Sequence, residues 1–129
     1  GCEVATDEVA KRAAISRAYY AAYHSLLPHL SQFPAEVPDD DAHVRHREIW
    51  RRLKAWRAPS SYSAVRNMGT AAKRVALDLH AALAARALAD YQLSEQIQHS
   101  DVIQQCERVR KVVTFATQVE IQMQRQLVG

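Results

Sequence analysis

The stretch Arg12-Ala13-Ala14-Ile15-Ser16-Arg17-Ala18-Tyr19-Tyr20-Ala21-Ala22-Tyr23-His24 decides the fold class. Alanine is the best helix former, and neither glycine nor proline interrupts the run before Pro28. Upstream, Thr6 or Asp7 supplies an N-cap, and Asp7 and Glu8 suit the positive end of a helix dipole. The spacing predicts a first helix from near Asp7 to about Leu27, ended by Pro28.

Outward from that helix, punctuation cuts the chain into further helical blocks. The prolines cluster at Pro28, Pro34, Pro38 and Pro59, so residues 28–39 read as a connector, with room for a helical turn around His29–Gln32. The run Asp39-Asp40-Asp41 can cap a second helix that stops near Arg57, before Pro59. Ser60 or Ser61 can open a third helix reaching Ala89, with Gly69 as its weak point. There Val65, Met68, Ala72, Val75, Leu79 and Ala82 fall on one apolar stripe, and Arg86 takes its next position. After a loop over 90–99, Ser100 can cap a fourth helix with Asp101 in its first turn. Its stripe is Val102, Cys106, Val109, Val113, Ala116, Glu120, Met123 and Leu127. Glu120 is read either as the exposed end of that stripe or as a polar contact across an interface.

Composition agrees. The chain has 129 residues, with 48% hydrophobic and 24% charged, which suits one globular domain rather than a disordered chain. Three glycines and four prolines are too few for the turns of an all-β fold. The expectation is an all-α, up-and-down bundle of four to five helices over residues 7–129, preceded by a disordered or tag-derived segment 1–6. No apolar run approaches the roughly 18 residues of a membrane span, and no secretory leader is visible. Two cysteines, Cys2 and Cys106, make neither a disulfide framework nor a zinc cluster, so a cytoplasmic setting is expected, with Cys106 buried and inert.

Several residue groups can carry chemistry. Arg17, Tyr20 and His24 share one face of the first helix, with the outer two Cα atoms about 10 Å apart. An arginine that binds phosphate and a histidine that moves protons near neutral pH can cleave RNA without a metal. The competing reading makes the tyrosines packing aromatics and places His24 over a buried polar pocket. Arg86 occupies a stripe position and needs a partner; Asp90, four residues on, can supply it, with Tyr91 beside them. Arg86 is thus a structural ion-pair member, a phosphate-binding arginine, or both. The second block sets Arg45, Arg47, Arg51, Arg52, Lys54 and Arg57 against Glu48, with Trp50 and Trp56 interleaved. Cations alternating with aromatic platforms suit single-stranded nucleic acid; a solvated face with both tryptophans turned inward is the other reading. His43 and His46 have metal-ligand spacing, but the set is incomplete apart from Glu48, and no metal or other cofactor is expected.

The segment Ser16-Arg17-Ala18-Tyr19-Tyr20-Ala21-Ala22-Tyr23-His24 resembles the N-terminal helix of HEPN-domain proteins. Ala42-His43-Val44-Arg45 is similar to the start of that family's second helix, and Arg86-Ala87-Leu88-Ala89-Asp90-Tyr91 to the end of its third. The resemblance covers about residues 7–127. It implies a four- to five-helix bundle, a two-fold homodimer, and a setting in toxin–antitoxin or phage-defence systems, where a nucleotidyltransferase is a frequent partner. Many relatives are metal-independent endoribonucleases with an R-x(4–6)-H signature. Here the positions open to that histidine hold Tyr91, Gln92 and Leu93, and the next histidine is His99. The missing histidine, together with the basic second block, leads to the expectation of a catalytically degenerate module that binds RNA or a nucleotide through Arg86, Tyr20, Arg45, Arg47, Arg51 and Arg52. The alternatives are a ribonuclease toxin using Arg17 and His24, and a structural or antitoxin-like partner subunit.

Overall fold

The computed structural model describes residues 7–30 and 68–128, together with His46, Ile49, Leu53 and Lys54. Among the described residues the chain is all-helical. The long helices are α1 (Glu8–Leu30), α2 (Gly69–Tyr91) and α3 (His99–Val128). His46, Ile49, Leu53 and Lys54 are also helical. The rest of the block expected over 40–57, including Arg45, Arg47, Arg51, Arg52 and both tryptophans, lies outside the described residues. None of the described helices is long and apolar enough to cross a membrane.

Helix α1 starts where its capping residue predicts. Asp7 Oδ1 accepts the Ala10 N–H at 2.7 Å, satisfying a donor that the first turn leaves unpaired. Its end differs from expectation: the helix runs through Pro28 to Leu30. A proline there removes the hydrogen bond to the His24 carbonyl, which lies on an exposed face that water can reach. Helix α2 begins at Gly69, so that glycine marks a boundary rather than a bend; residues 60–67 lie outside the described residues. Helix α3 begins at His99, one residue before the expected Ser100 cap. Asp101 Oδ2 reaches back to the Gln98 N–H at 2.8 Å, the returning half of a capping box.

All three helices pack on one another. The N-terminal turns of α1 touch the C-terminal end of α2 and the loop before α3, and His29 near the end of α1 approaches Glu120 of α3. Helices α1 and α3 therefore run in the same direction, with α2 antiparallel to both. The main core joins Tyr19, Ala22 and Leu26 of α1 to Ala72, Ala76, Leu79 and Ala82 of α2 and to Val109, Val112, Ala116 and Val119 of α3; Ile49 and Leu53 complete it. The many alanines let backbones approach closely, and Tyr19, fully buried, fills the centre. Ile15, Ala89, Ile97 and Val102 form a second cluster at the loop end.

The α2 stripe is the one expected, with Ala72, Val75, Leu79 and Ala82 buried. On α3 the buried face is rotated slightly from the expected stripe. Val102, Val109 and Ala116 are buried as expected, but Gln105, Val112 and Val119 are buried too, while Cys106 and Val113 are only half-buried and Glu120 is the exposed member that one reading of the stripe expected. Glu120 is exposed, and Cys106 is half-buried and disulfide-bonded rather than a buried free thiol. The chain's other cysteine, Cys2, lies outside the described residues.

Candidate functional site

Arg86 is the centre of a polar and aromatic cluster that links α1 to α2. One turn before the end of α2, its side chain is 17% exposed. Asp90, one turn on, brings Oδ2 to 2.8 Å from Nε. The Nε–H is not aimed along that line, so the contact is an ion pair rather than an aligned hydrogen bond. From the same guanidinium, Nη2 donates to the Tyr20 hydroxyl at 2.9 Å. The carbon of the guanidinium lies 5.4 Å from the Tyr20 ring centre and 5.5 Å from that of Tyr91, within cation–π range of both. Ser16 Oγ donates to Asp90 Oδ2 at 3.4 Å, tying the carboxylate back to α1.

Behind Arg86 lies a second layer. Tyr19 and His46 meet at 2.7 Å between the phenol oxygen and Nδ1. The His46 ring is 4.7 Å from Tyr23 and 5.8 Å from Tyr20, centre to centre. Burial, and then the nearby Arg86 charge, push the His46 pKa below its usual value, so the imidazole is neutral at pH 7. Burial and the neighbouring phenol of Tyr23 push the Tyr19 hydroxyl well above the usual range, although Arg86 pulls the other way. Chemically, the site offers a guanidinium between flat rings, a neutral imidazole close by, and one carboxylate that partly offsets the positive charge.

Of Arg17, Tyr20 and His24, predicted to share one face of the first helix, only Tyr20 has a described contact with Arg86. Tyr20 is half-buried and bonds Arg86. His24 is exposed, with its ring 6.3 Å from Tyr20 and 5.3 Å from Tyr23. Arg17 is exposed and lines a cavity of about 390 Å³ between α1 and α3, with Ala14, Cys106 and Arg110. No described contact joins Arg17 to His24. The Arg86–Asp90 pair with Tyr91 beside it was legible from the i, i+4 spacing; the Tyr20 hydroxyl on Arg86 was not. The sequence suggests His46 only as a metal ligand with His43, which lies outside the described residues. Its position on Tyr19 has no local signal, because 27 positions separate the two. Among the described residues no three His, Cys, Asp or Glu side chains gather as metal ligands.

No protein-family model, curated protein or solved structure matches this chain.

Proposed function

We propose that this chain is a HEPN-like helical module that binds RNA or a nucleotide at the Arg86 cluster without cleaving it efficiently. The observation that carries the reading is the half-buried Arg86 guanidinium, steadied by Asp90 and Tyr20 and flanked by the rings of Tyr20 and Tyr91. A guanidinium keeps its charge at every physiological pH and matches phosphate oxygens with its planar fork. Its described polar partners engage Nε and Nη2 only, and a guanidinium has five donors. The absence of a histidine at Tyr91, Gln92 and Leu93 supports binding over turnover. The full four- to five-helix bundle, a homodimer, a cytoplasmic toxin–antitoxin or defence setting and a nucleotidyltransferase partner belong to the same proposal and rest on the motif resemblance.

A second reading, a metal-independent endoribonuclease, is favoured by one observation: the His46 ring lies 5.8 Å from that of Tyr20, whose hydroxyl bonds Arg86, and burial pushes the imidazole pKa down. A neutral imidazole can take the proton of a 2′-hydroxyl while a guanidinium stabilises the phosphorane. In this reading His46 and Arg86 replace the Arg17 and His24 pair suggested by the first helix alone.

Retention of labelled RNA at low salt, with and without EDTA, tests both readings. The expected result is salt-sensitive binding of intact RNA, weakened about tenfold or more by Arg86→Gln and less by Arg86→Lys. Changing Arg51 and Arg52 to Ala is expected to flatten the salt dependence by about 0.7 for each phosphate that these side chains neutralise. Cleavage in EDTA that disappears in His46→Ala but persists in His24→Ala selects the second reading. A protein that retains no RNA at low salt is a structural or antitoxin-like subunit.

A further inference from the structure

Tyr91 is the last residue of α2 and is 71% exposed. Among the described residues every other Phe or Tyr ring is buried or half-buried. An exposed aromatic ring is ordinary when it hangs on a mobile turn. This one does not, because the backbone on both sides of it is clamped. Arg12 of α1 donates through Nη1 to the carbonyls of Ala89 at 2.8 Å and Gln92 at 3.2 Å, and through Nη2 to those of Leu93 and Glu95. The ring is also held from one side by Arg86, whose guanidinium carbon is 5.5 Å from the ring centre. A large flat surface is thus fixed in place before any ligand arrives, which lowers the ordering cost of binding.

The ring is one end of a row of planar groups. Tyr91 lies against Arg86, Arg86 against Tyr20, and Tyr20 beside His24. Both ends of the row, Tyr91 and His24, are exposed, while Arg86 and Tyr20 between them are half-buried. A ligand lying along this row needs flat apolar faces at its ends and negative charge in between. Unpaired nucleobases joined by phosphate have that form. Bases in a duplex do not, because both faces of each are already stacked.

We propose that Tyr91 is the nucleobase-stacking residue of this site, and that the ligand is a single-stranded stretch of nucleic acid. This rests on the reading of the Arg86 cluster as a nucleic-acid site. In this role Tyr91 sets the preference for unpaired bases, and Arg86 sets the attraction for phosphate.

Fluorescence anisotropy at low salt tests it with three probes of equal length: a single-stranded RNA, a strand of abasic residues, and a duplex. The wild-type protein is expected to bind the single strand about tenfold more tightly than the abasic strand, the scale of one base stacked on an aromatic ring. Tyr91→Ala is expected to erase that preference, read as the ratio of the two affinities measured on the same variant. Tyr91→Phe and Tyr91→Trp are expected to keep the preference, and circular dichroism melts report that each variant is folded. A folded Tyr91→Ala protein that still prefers the base-bearing strand overturns the proposal, as does a wild type that binds the duplex as tightly as the single strand. Equal binding of abasic and base-bearing strands by the wild type sinks the stacking role while leaving phosphate recognition at Arg86 standing. Failure to bind any of the three probes overturns the reading of the cluster itself.

Discussion

His29 Nδ1 and Arg86 Nε are the two buried side-chain polar atoms without a hydrogen bond among the described residues. His29 is buried near the end of α1, and its Nδ1 has only Glu120 at 3.7 Å, without a hydrogen bond. Burial lowers its pKa below the usual 6.5, and the Glu120 charge opposes that shift without cancelling it. His46 is lowered as well. A histidine harder to protonate in the folded state leaves stability intact above about pH 6.5, where neither state is charged. As pH falls below that value the unfolded chain takes up protons first, and stability declines until the folded pKa is passed. Denaturant midpoints measured from pH 7.5 to 5 are expected to fall with acidification, and less so in His29→Gln. Glu120→Gln is expected to lower the His29 pKa further, by removing the one charge that favours the imidazolium; NMR titration of the ring protons checks the direction. The exposure of Glu120 was one of the two readings its stripe position offered; its approach to His29 was not legible, because the two lie 91 positions apart on different helices.

Helix α2 shows how an element is finished by a partner rather than by its own sequence. A helix leaves its last carbonyls unpaired, and a glycine in a left-handed turn usually helps to satisfy them. Here Gln92 follows at φ −102° and ψ 76°, and none of the described residues has positive φ. Arg12 takes the glycine's place. Its guanidinium, paired with Glu8 at 3.0 Å, spreads over the carbonyls of Leu88, Ala89, Gln92, Leu93 and Glu95 and brings positive charge to the negative end of the dipole. Glu8 Oε1 accepts the Ile97 N–H, and Lys11 Nζ donates to the Ile97 carbonyl, so one turn of α1 holds the whole loop. Arg12→Met is expected to cost about 2–3 kcal/mol, because it removes charged hydrogen bonds to carbonyls. Hydrogen exchange is expected to speed up most over residues 92–98. Equal exchange in that loop and in the middle of α2 would remove Arg12 from this role. The sequence announced the start of α1 through Asp7, a contact within one turn; it carried no sign that Arg12 closes α2.

At the scale of the molecule, Gln105 joins all three helices. It is fully buried on α3 and its Nε2 donates to the carbonyls of Ala82 on α2, at 2.9 Å, and of Ile15 on α1, at 3.4 Å. Arg108 Nη1 donates to its Oε1 at 3.3 Å, so the amide is used at both ends. Both carbonyls already serve their own helices, which makes the amide more a register pin than a source of stability. Gln105→Ala is expected to destabilise by about 2–4 kcal/mol through the cavity it leaves. Gln105→Leu, which keeps the volume and leaves no helix carbonyl orphaned, is expected to stay within about 1.5 kcal/mol of the wild type. Urea midpoints at unchanged slope separate the two. A leucine variant as unstable as the alanine one would make the hydrogen bonds, not the volume, the larger contribution.

By itself the sequence determined what depends on neighbours along the chain. It set the helical character, the Asp7 cap, the Ala72–Val75–Leu79–Ala82 stripe and the Arg86–Asp90 pair, all within one or two turns. Only the tertiary structure decided which α3 face is buried, which of Arg17, Tyr20 and His24 meets Arg86, and where His46 and Arg12 find their partners. Those contacts join residues from 23 to 90 positions apart. Their geometry follows from how three alanine-rich helices rotate to fill one core, and no short-range preference encodes that rotation.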